Sequence, residues 1–219
     1  MPLSIGRSAK YTNSPSPLTP TLSRRYADAL ASKAYHGYEG FCRQDYIGGD
    51  YGLLDCSTGA PLPDYWTALL FGTTMGPRVL EVELAAVSST SSVKVYAHCT
   101  AAGVAGNNGE GGTGSGGSVT VLVINLSNVT TVVSLGASSV ITREYVLTPS
   151  DDASSSLTGE AGVMGTGIML NGKELRVGGD GSIPAVAKQG RAVGKGETSI
   201  PPTSVSFLVM AGAGHPACK

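Results

Sequence analysis

The sequence predicts a mostly β protein, a C-terminal antiparallel β-sandwich preceded by a short stretch of alternating β and α elements. Two observations carry this prediction. From Arg78 onward the chain breaks into short runs rich in β-branched residues, separated by turn-forming glycine, serine and asparagine. Before Gly76-Pro77 the rhythm is helix, strand, polar loop and helix, the pattern of a β/α unit. Composition agrees, because 14% charged residues and 31 glycines suit turn-rich sheets better than a helical bundle.

Residues 1–18 are rich in proline, serine and threonine, without periodicity, and read as loop or disordered chain. Thr19-Pro20 supplies an N-cap and a first-position proline. Leu22, Tyr26, Ala29, Leu30 and Ala34 then recur at helical spacing, with Arg24, Arg25, Asp28 and Lys33 on the wet face. A helix is expected over 20–36, closed by Gly37. Tyr38–Ile47 is expected to be a strand centred on Phe41 and Cys42, with Cys42 in the core, ending at Gly48-Gly49. Pro63-Asp64 opens a second helix with the stripe Trp66, Leu69 and Leu70, and Gly76-Pro77 is expected to stop it.

The strands expected beyond that point cover 79–87, 93–99, 119–126, 130–135, 140–147 and 205–210. Residues 168–175 carry Asn171-Gly172 between two apolar runs, a hairpin signal. Two glycine-rich stretches, 103–117 and 178–199, read as an inserted loop and a connection. Three regions follow: 1–18 as loop, 19–77 as β/α units, and 78–219 as the sandwich.

A net charge of −1 argues against a nucleic-acid surface, which needs a basic face. No apolar run approaches the roughly 20 residues of a membrane helix. The N-terminal stretch also lacks the apolar core of a signal peptide. Cys42, Cys56, Cys99 and Cys218 show no metal-ligand spacing with His36, His98 and His215, so no metal or other cofactor is expected. One or two disulfides and four free thiols are both open on spacing alone. The run from Gly112 to Gly117 formally matches GxGxxG but lies between strands and opens no helix, so it reads as a flexible insertion. No GxSxG elbow is present, and no histidine has an evident serine or aspartate partner.

The stretch from Phe41 to Phe71 gathers the candidate chemistry. Asp45, Asp50, Asp55 and Asp64 cluster there. A glycosidase needs two spaced acids, whereas Asp64 reads as a helix start and the others as turn or loop residues. Asp50 fits a hydrogen-bonding contact to substrate better than a proton donor. Arg43, Gln44 and Tyr51 suit sugar recognition through amide, phenol and guanidinium groups. Asn125-Leu-Ser and Asn128-Val-Thr are N-glycosylation sequons.

At FCRQ…GGDYGLLD…PLPDYWTALLF the chain resembles the heparanase-like β-glucuronidases of glycoside hydrolase family 79, of plant or algal type. VYAHCT, VTVLVINLSNVT, REYVLTPSD, LNGKEL and PPTSVSFLVM extend the resemblance, in order, from about Tyr26 to Cys218. It implies that 19–77 are the last β/α units of an incomplete (β/α)8 barrel and 78–219 its β-sandwich. Barrel chemistry sits at the C-terminal ends of strands. By match of motif, Gln44, Gly49, Asp50 and Tyr51 would contact a glycan containing glucuronic acid, with Asp50 standing where an asparagine is usual. The resemblance also implies a Cys99–Cys218 disulfide, with Cys42 and Cys56 free.

The family hydrolyses β-glucuronides with retention, using two glutamates upstream of the Arg-Gln strand. Arg7 stands at the loose counterpart of one, and no acidic residue precedes Asp28. No catalytic residue is therefore assigned. The expectation is the C-terminal portion of a heparanase-like β-glucuronidase, a fragment that does not hydrolyse its substrate alone. The rival is a non-catalytic glycan-binding or accessory module, and the implied partners are a glucuronide glycan and a preceding barrel segment. The family resemblance implies a secreted, vacuolar, lysosomal or cell-surface location.

Overall fold

The structure, a computed structural model, describes residues 20–47, 52–83, 92–102, 104, 117–135, 140–150 and 167–219. Two α-helices form where the apolar spacing places them, α1 over Pro20–Tyr35 and α2 over Pro63–Thr74. Gly37, at φ +80°, closes α1. The Tyr38 amide donates to the Lys33 carbonyl and the Gly37 amide to that of Ala34, the paired bonds of a Schellman cap. In the last turn of α2 the Thr73 and Thr74 hydroxyls donate to the carbonyls of Leu69 and Leu70, at 2.8 and 2.7 Å.

Gly76-Pro77 does not act as a helix stop. The chain passes straight from Thr74 into strand β1 (Met75–Leu80), which contains both residues. Glycine is needed there for close approach, because a Cβ on Gly76 would lie 2.6 Å from the Cys99 carbonyl oxygen of the neighbouring strand.

The remaining strands are β2 (Val93–Thr100), β3 (Val119–Asn125), β4 (Thr131–Ser134), β5 (Val140–Ile141), β6 (Arg143–Pro149), β7 (Ile168–Leu170), β8 (Lys173–Glu174), β9 (Gly194–Lys195), β10 (Glu197–Ile200) and β11 (Ser204–Met210). A seven-stranded antiparallel sheet has the order β1-β2-β3-β11-β6-β7-β8. Two small ribbons, β4–β10 and β5–β9, complete the pairing. The last strand, β11, is thus central, registered on β3 from Ser204↔Asn125 to Met210↔Val119 and on β6 along its other edge.

Side-chain alternation gives the sheet two buried faces. Leu122, Ile124, Val205, Phe207 and Val209 meet Ala27 and Ala31 of α1 and Trp66 and Leu70 of α2. On the opposite face Val121, Val123, Leu208 and Met210 pack with Ile141 and Ile200 from the ribbons, and Val133 packs against them. The result is mostly β, one large antiparallel sheet between a helical layer and two ribbons. Each fully buried aliphatic or aromatic side chain in these layers contributes about 1.5–3 kcal/mol of transfer free energy.

Four local expectations change. Tyr38–Ile47 is not a strand: its one ladder contact is a parallel bridge from Ile47 to Leu54, and Phe41 and Cys42 are exposed rather than in the core. Among the described residues no strand flanks this segment to supply the missing pairing. The run at 79–87 is strand only to Leu80, and residues 84–91 lie outside the described residues. The 140–147 run divides at Thr142, whose amide and hydroxyl both donate to the Val209 carbonyl, so β5 joins a ribbon and β6 the large sheet. The glycine-rich connection 178–199 contains a 3-10 turn, Val186–Gln189, together with β9 and most of β10. Most of the inserted loop 103–117 lies outside the described residues.

Candidate glycan-binding rim

The stretch between α1 and α2 holds the predicted contacts. Gln44 is exposed, in irregular chain, and its peptide bond to Asp45 is cis. Gly49, Asp50 and Tyr51 lie outside the described residues. An exposed primary amide both donates and accepts, which suits paired sugar hydroxyls. Exposed rings of Tyr38, Phe41 and Tyr46 flank it in sequence.

Arg43 turns the other way. Its guanidinium lies 4.4 Å from the centre of the Tyr26 ring and 2.5 Å from the Asp64 carboxylate. Tyr26 belongs to α1 and Asp64 to the first turn of α2, so one side chain spans both helices. Its sequence reading as a sugar contact is therefore replaced by a structural one. Asp64 is 3% exposed, and burial pushes its carboxyl up to about 6 against the opposing pull of Arg43. Among the described residues neither Asp64 carboxylate oxygen accepts a hydrogen bond, so its contact with Arg43 is an ion pair.

The other end of the segment is held by backbone. Leu53 N–H donates to the carbonyls of Asp45 and Tyr46, Leu54 N–H to that of Tyr46, and Leu62 N–H to that of Leu53. Asp55 accepts from the amide and hydroxyl groups of both Ser57 and Thr58, which pulls its carboxyl down to about 2. It is a turn anchor, in keeping with its sequence reading. Asp45 is half-buried.

Away from the rim, Cys99 and Cys218 are joined in a disulfide with Cα atoms 5.3 Å apart. Arg78 donates beside it to the Ala217 carbonyl. Cys42 and Cys56 are free and exposed. Of the two sequon asparagines, Asn128 is exposed, whereas Asn125 is fully buried. Asn125 Nδ2 donates to the carbonyls of Val129 and Pro201 at 2.9 Å and approaches that of Ile200 at 3.3 Å. Of the two sequon amides, only that of Asn128 is presented to solvent. Among the described residues, no three His, Cys, Asp or Glu side chains come together as metal ligands.

His36 and His215 are exposed, whereas His98 is buried with its Nδ1 2.7 Å from the Gly76 carbonyl and its ring edge-on to Phe71. Burial holds the imidazole below its ordinary range, against the pull of the Gly76 bond. The helices are tied to the sheet by polar contacts that sequence reasoning missed. Asp28 on α1 accepts from Lys94 and Tyr96 of β2, both at 2.6 Å. Arg24 donates to the Thr203 carbonyl at 2.8 Å. The helical spacing that put Arg24 and Asp28 on a wet face could not show a partner from the sheet.

No protein-family model matches the chain. It is 33% identical to heparanase-like protein 1 of Arabidopsis thaliana, an alignment covering 89% of this chain and 37% of that protein. Identity to the heparanase of Mus musculus is also 33%, over 91% of this chain and 36% of that one. Identity to the baicalin-beta-D-glucuronidase of Scutellaria baicalensis is 33%, over 74% and 26%. The chain thus spans little more than a third of the length of the first two relatives. Among solved structures, a glycoside hydrolase family 30 subfamily 8 xylanase, Xyn30A of Clostridium acetobutylicum, superposes with a TM-score of 0.51 at 18% identity, covering 90% of this chain and 40% of that one. That likeness concerns fold alone. With its Arg-Gln segment, its Pro-Asp-Tyr helix and these alignments running along nearly its whole length, the chain belongs to the heparanase-like members of glycoside hydrolase family 79.

Proposed function

We propose that this chain is the C-terminal portion of a heparanase-like β-glucuronidase, contributing one rim of a site for glycans or glycosides that contain glucuronic acid. The observation that carries the reading is the 33% identity to a heparanase-like protein over 89% of the chain. In this reading residues 19–77 are the last β/α units of a (β/α)8 barrel and the large sheet with its ribbons is the accompanying β-sandwich. Gln44, together with Gly49, Asp50 and Tyr51, contacts the sugar. The two glutamates of the retaining mechanism belong to a preceding segment, and this chain binds without cleaving.

Two features support an extracellular, vacuolar or lysosomal setting. A disulfide closing 119 residues of chain suits an oxidising compartment. Asn128 is an exposed sequon residue. No helix among the described residues is long and apolar enough to cross a membrane.

The test is titration of the purified 219-residue chain with a β-glucuronide, with hydrolysis of p-nitrophenyl β-glucuronide followed in parallel. Binding without turnover is expected, and Gln44→Ala is expected to weaken it. Turnover by the chain alone would overturn the division of labour, and absence of binding would overturn the glycan rim. The second reading, a non-catalytic glycan-binding or accessory module, predicts the same binding. It is separated by sequencing the transcript upstream of Met1, where the enzyme reading requires segments carrying the two glutamates.

A further inference from the structure

We propose that Arg43 is a positioning residue: stacked on Tyr26 and paired with Asp64, it fixes the backbone that presents Gln44 to a glycan. The inference rests on the rim reading above and goes beyond it by naming what holds the rim in place.

Three observations lead here. First, among the described residues the segment from Phe41 to Gln44 makes no ladder contact, and the backbone bonds nearby fall on the carbonyls of Asp45 and Tyr46. Second, the neighbouring side chain is half-buried and engaged on two sides. Arg43 is 16% exposed, 2.5 Å from Asp64 and 4.4 Å from the centre of the Tyr26 ring. Arg43 is turned inward while the adjoining Gln44 is exposed.

Third, the two anchors are themselves fixed. Tyr26 sits on α1, which Asp28 ties to Lys94 and Tyr96, and Arg24 to Thr203. Asp64 sits in the first turn of α2, whose Trp66 and Leu70 are fully buried. A planar guanidinium can stack on a ring and present N–H groups to a carboxylate at once, whereas a lysine ammonium has no flat face to stack. The residue type therefore matches both contacts.

Arg43→Lys in the 219-residue chain tests the proposal with two readouts. Amide exchange at Leu53 and Leu54, whose N–H groups bond to the Asp45 and Tyr46 carbonyls, reports the segment without ligand. Affinity for methyl β-glucuronide reports the rim. Arg43→Lys is expected to speed exchange at both amides by roughly ten- to a hundredfold, the scale of one charge-assisted contact. It should weaken binding by a similar factor, with the sheet's melting temperature close to that of a Lys94→Ala control, which removes a different ion pair of α1.

Unchanged exchange and affinity would overturn the proposal. So would losses that Lys94→Ala reproduces, because they would be global. If Arg43→Lys fails to fold, Asp64→Asn keeps the shape of the partner and removes its charge, and the same readouts apply. A wild-type chain that binds no glucuronide refutes the rim reading, while exchange at Leu53 and Leu54 still decides whether Arg43 fixes the segment.

Discussion

The large sheet and the stretch between the two helices are held by different means. In the sheet, β3 and β11 share an unbroken seven-pair register, and every residue of both strands is buried. Moving any one residue would break backbone bonds on both sides and two packed faces. Between the helices, by contrast, a few anchors do the work: Arg43 on Tyr26 and Asp64, the backbone bonds of Leu53, Leu54 and Leu62, and the Asp55 turn. Stability belongs to the first region and the proposed glycan contacts to the second. Surface loops carried by a rigid scaffold are the usual place for recognition.

The comparison can be broken at its strong end first. Replacing Cys99 and Cys218 by serine removes a link across 119 residues and is expected to lower the unfolding free energy by about 4–5 kcal/mol on the chain-entropy account, as read by denaturant melts. Phe207→Ala, at the fully buried centre of β11, is expected to cost about 3–5 kcal/mol and to leave no stable sheet on which the rim could persist.

Asp64 gives a prediction of intermediate size with a definite sign. Its folded pKa of about 6 lies above the ordinary aspartate value of 3.8, so its contribution to stability is fully present below about pH 4 and is lost as pH rises through 6. The difference is on the order of 2–3 kcal/mol. Asp64→Asn should therefore flatten the wild-type pH–stability curve between pH 4 and 6, roughly its titration range. Stability lost on the alkaline side should be recovered even while the Arg43 grip weakens. His98 works in the opposite direction, because its depressed pKa makes stability fall as pH drops below the ordinary histidine range. A profile on which Asp64→Asn has no effect would mean that the carboxylate is solvated and the helices are not joined there.

The sequons sharpen the contrast at a smaller scale. Asn125→Gln is expected to cost about 1–3 kcal/mol, since its amide serves buried carbonyls, and to leave any glycan in place. Asn128→Gln should do the reverse, abolishing the mass shift removed by peptide N-glycosidase in chain passed through a secretory host. Lys94→Ala, which breaks a half-exposed pair with Asp28, should change stability by less than about 1 kcal/mol.

Much of the sheet was legible because its strands are rich in β-branched residues and strands need little else when buried on both sides. Asn171-Gly172 marked a hairpin because Asn171 and Gly172 adopt φ +50° and +81°, values that few residues other than asparagine and glycine take readily. The ribbons were not legible. Gly194-Lys195 and Glu197–Ile200 are too short to show a period, and their pairing depends on partners more than 50 residues away. The segment around Phe41 misled for the converse reason: its apolar residues look like a strand, but pairing is a property of neighbours.

At the rim, the sequence pointed to Gln44 through motif resemblance, and to Arg43 and Asp64 only as separate residues. Their pairing, and the ring beneath Arg43, arise from the approach of two helices that local sequence does not describe. Asn125 and Asn128 are equivalent as triplets, and only burial tells them apart.

The central position of β11 has a consequence for synthesis. A nascent chain that has emerged only as far as Ile200 holds β1, β2 and β3 on one side and β6, β7 and β8 on the other, with nothing between them. Both halves, and the helices whose apolar faces rest on β11, must wait for Ser204–Met210 to leave the ribosome. A stop codon anywhere before Ser204 would therefore remove the keystone rather than a tail, exposing two unpaired strand edges to aggregation.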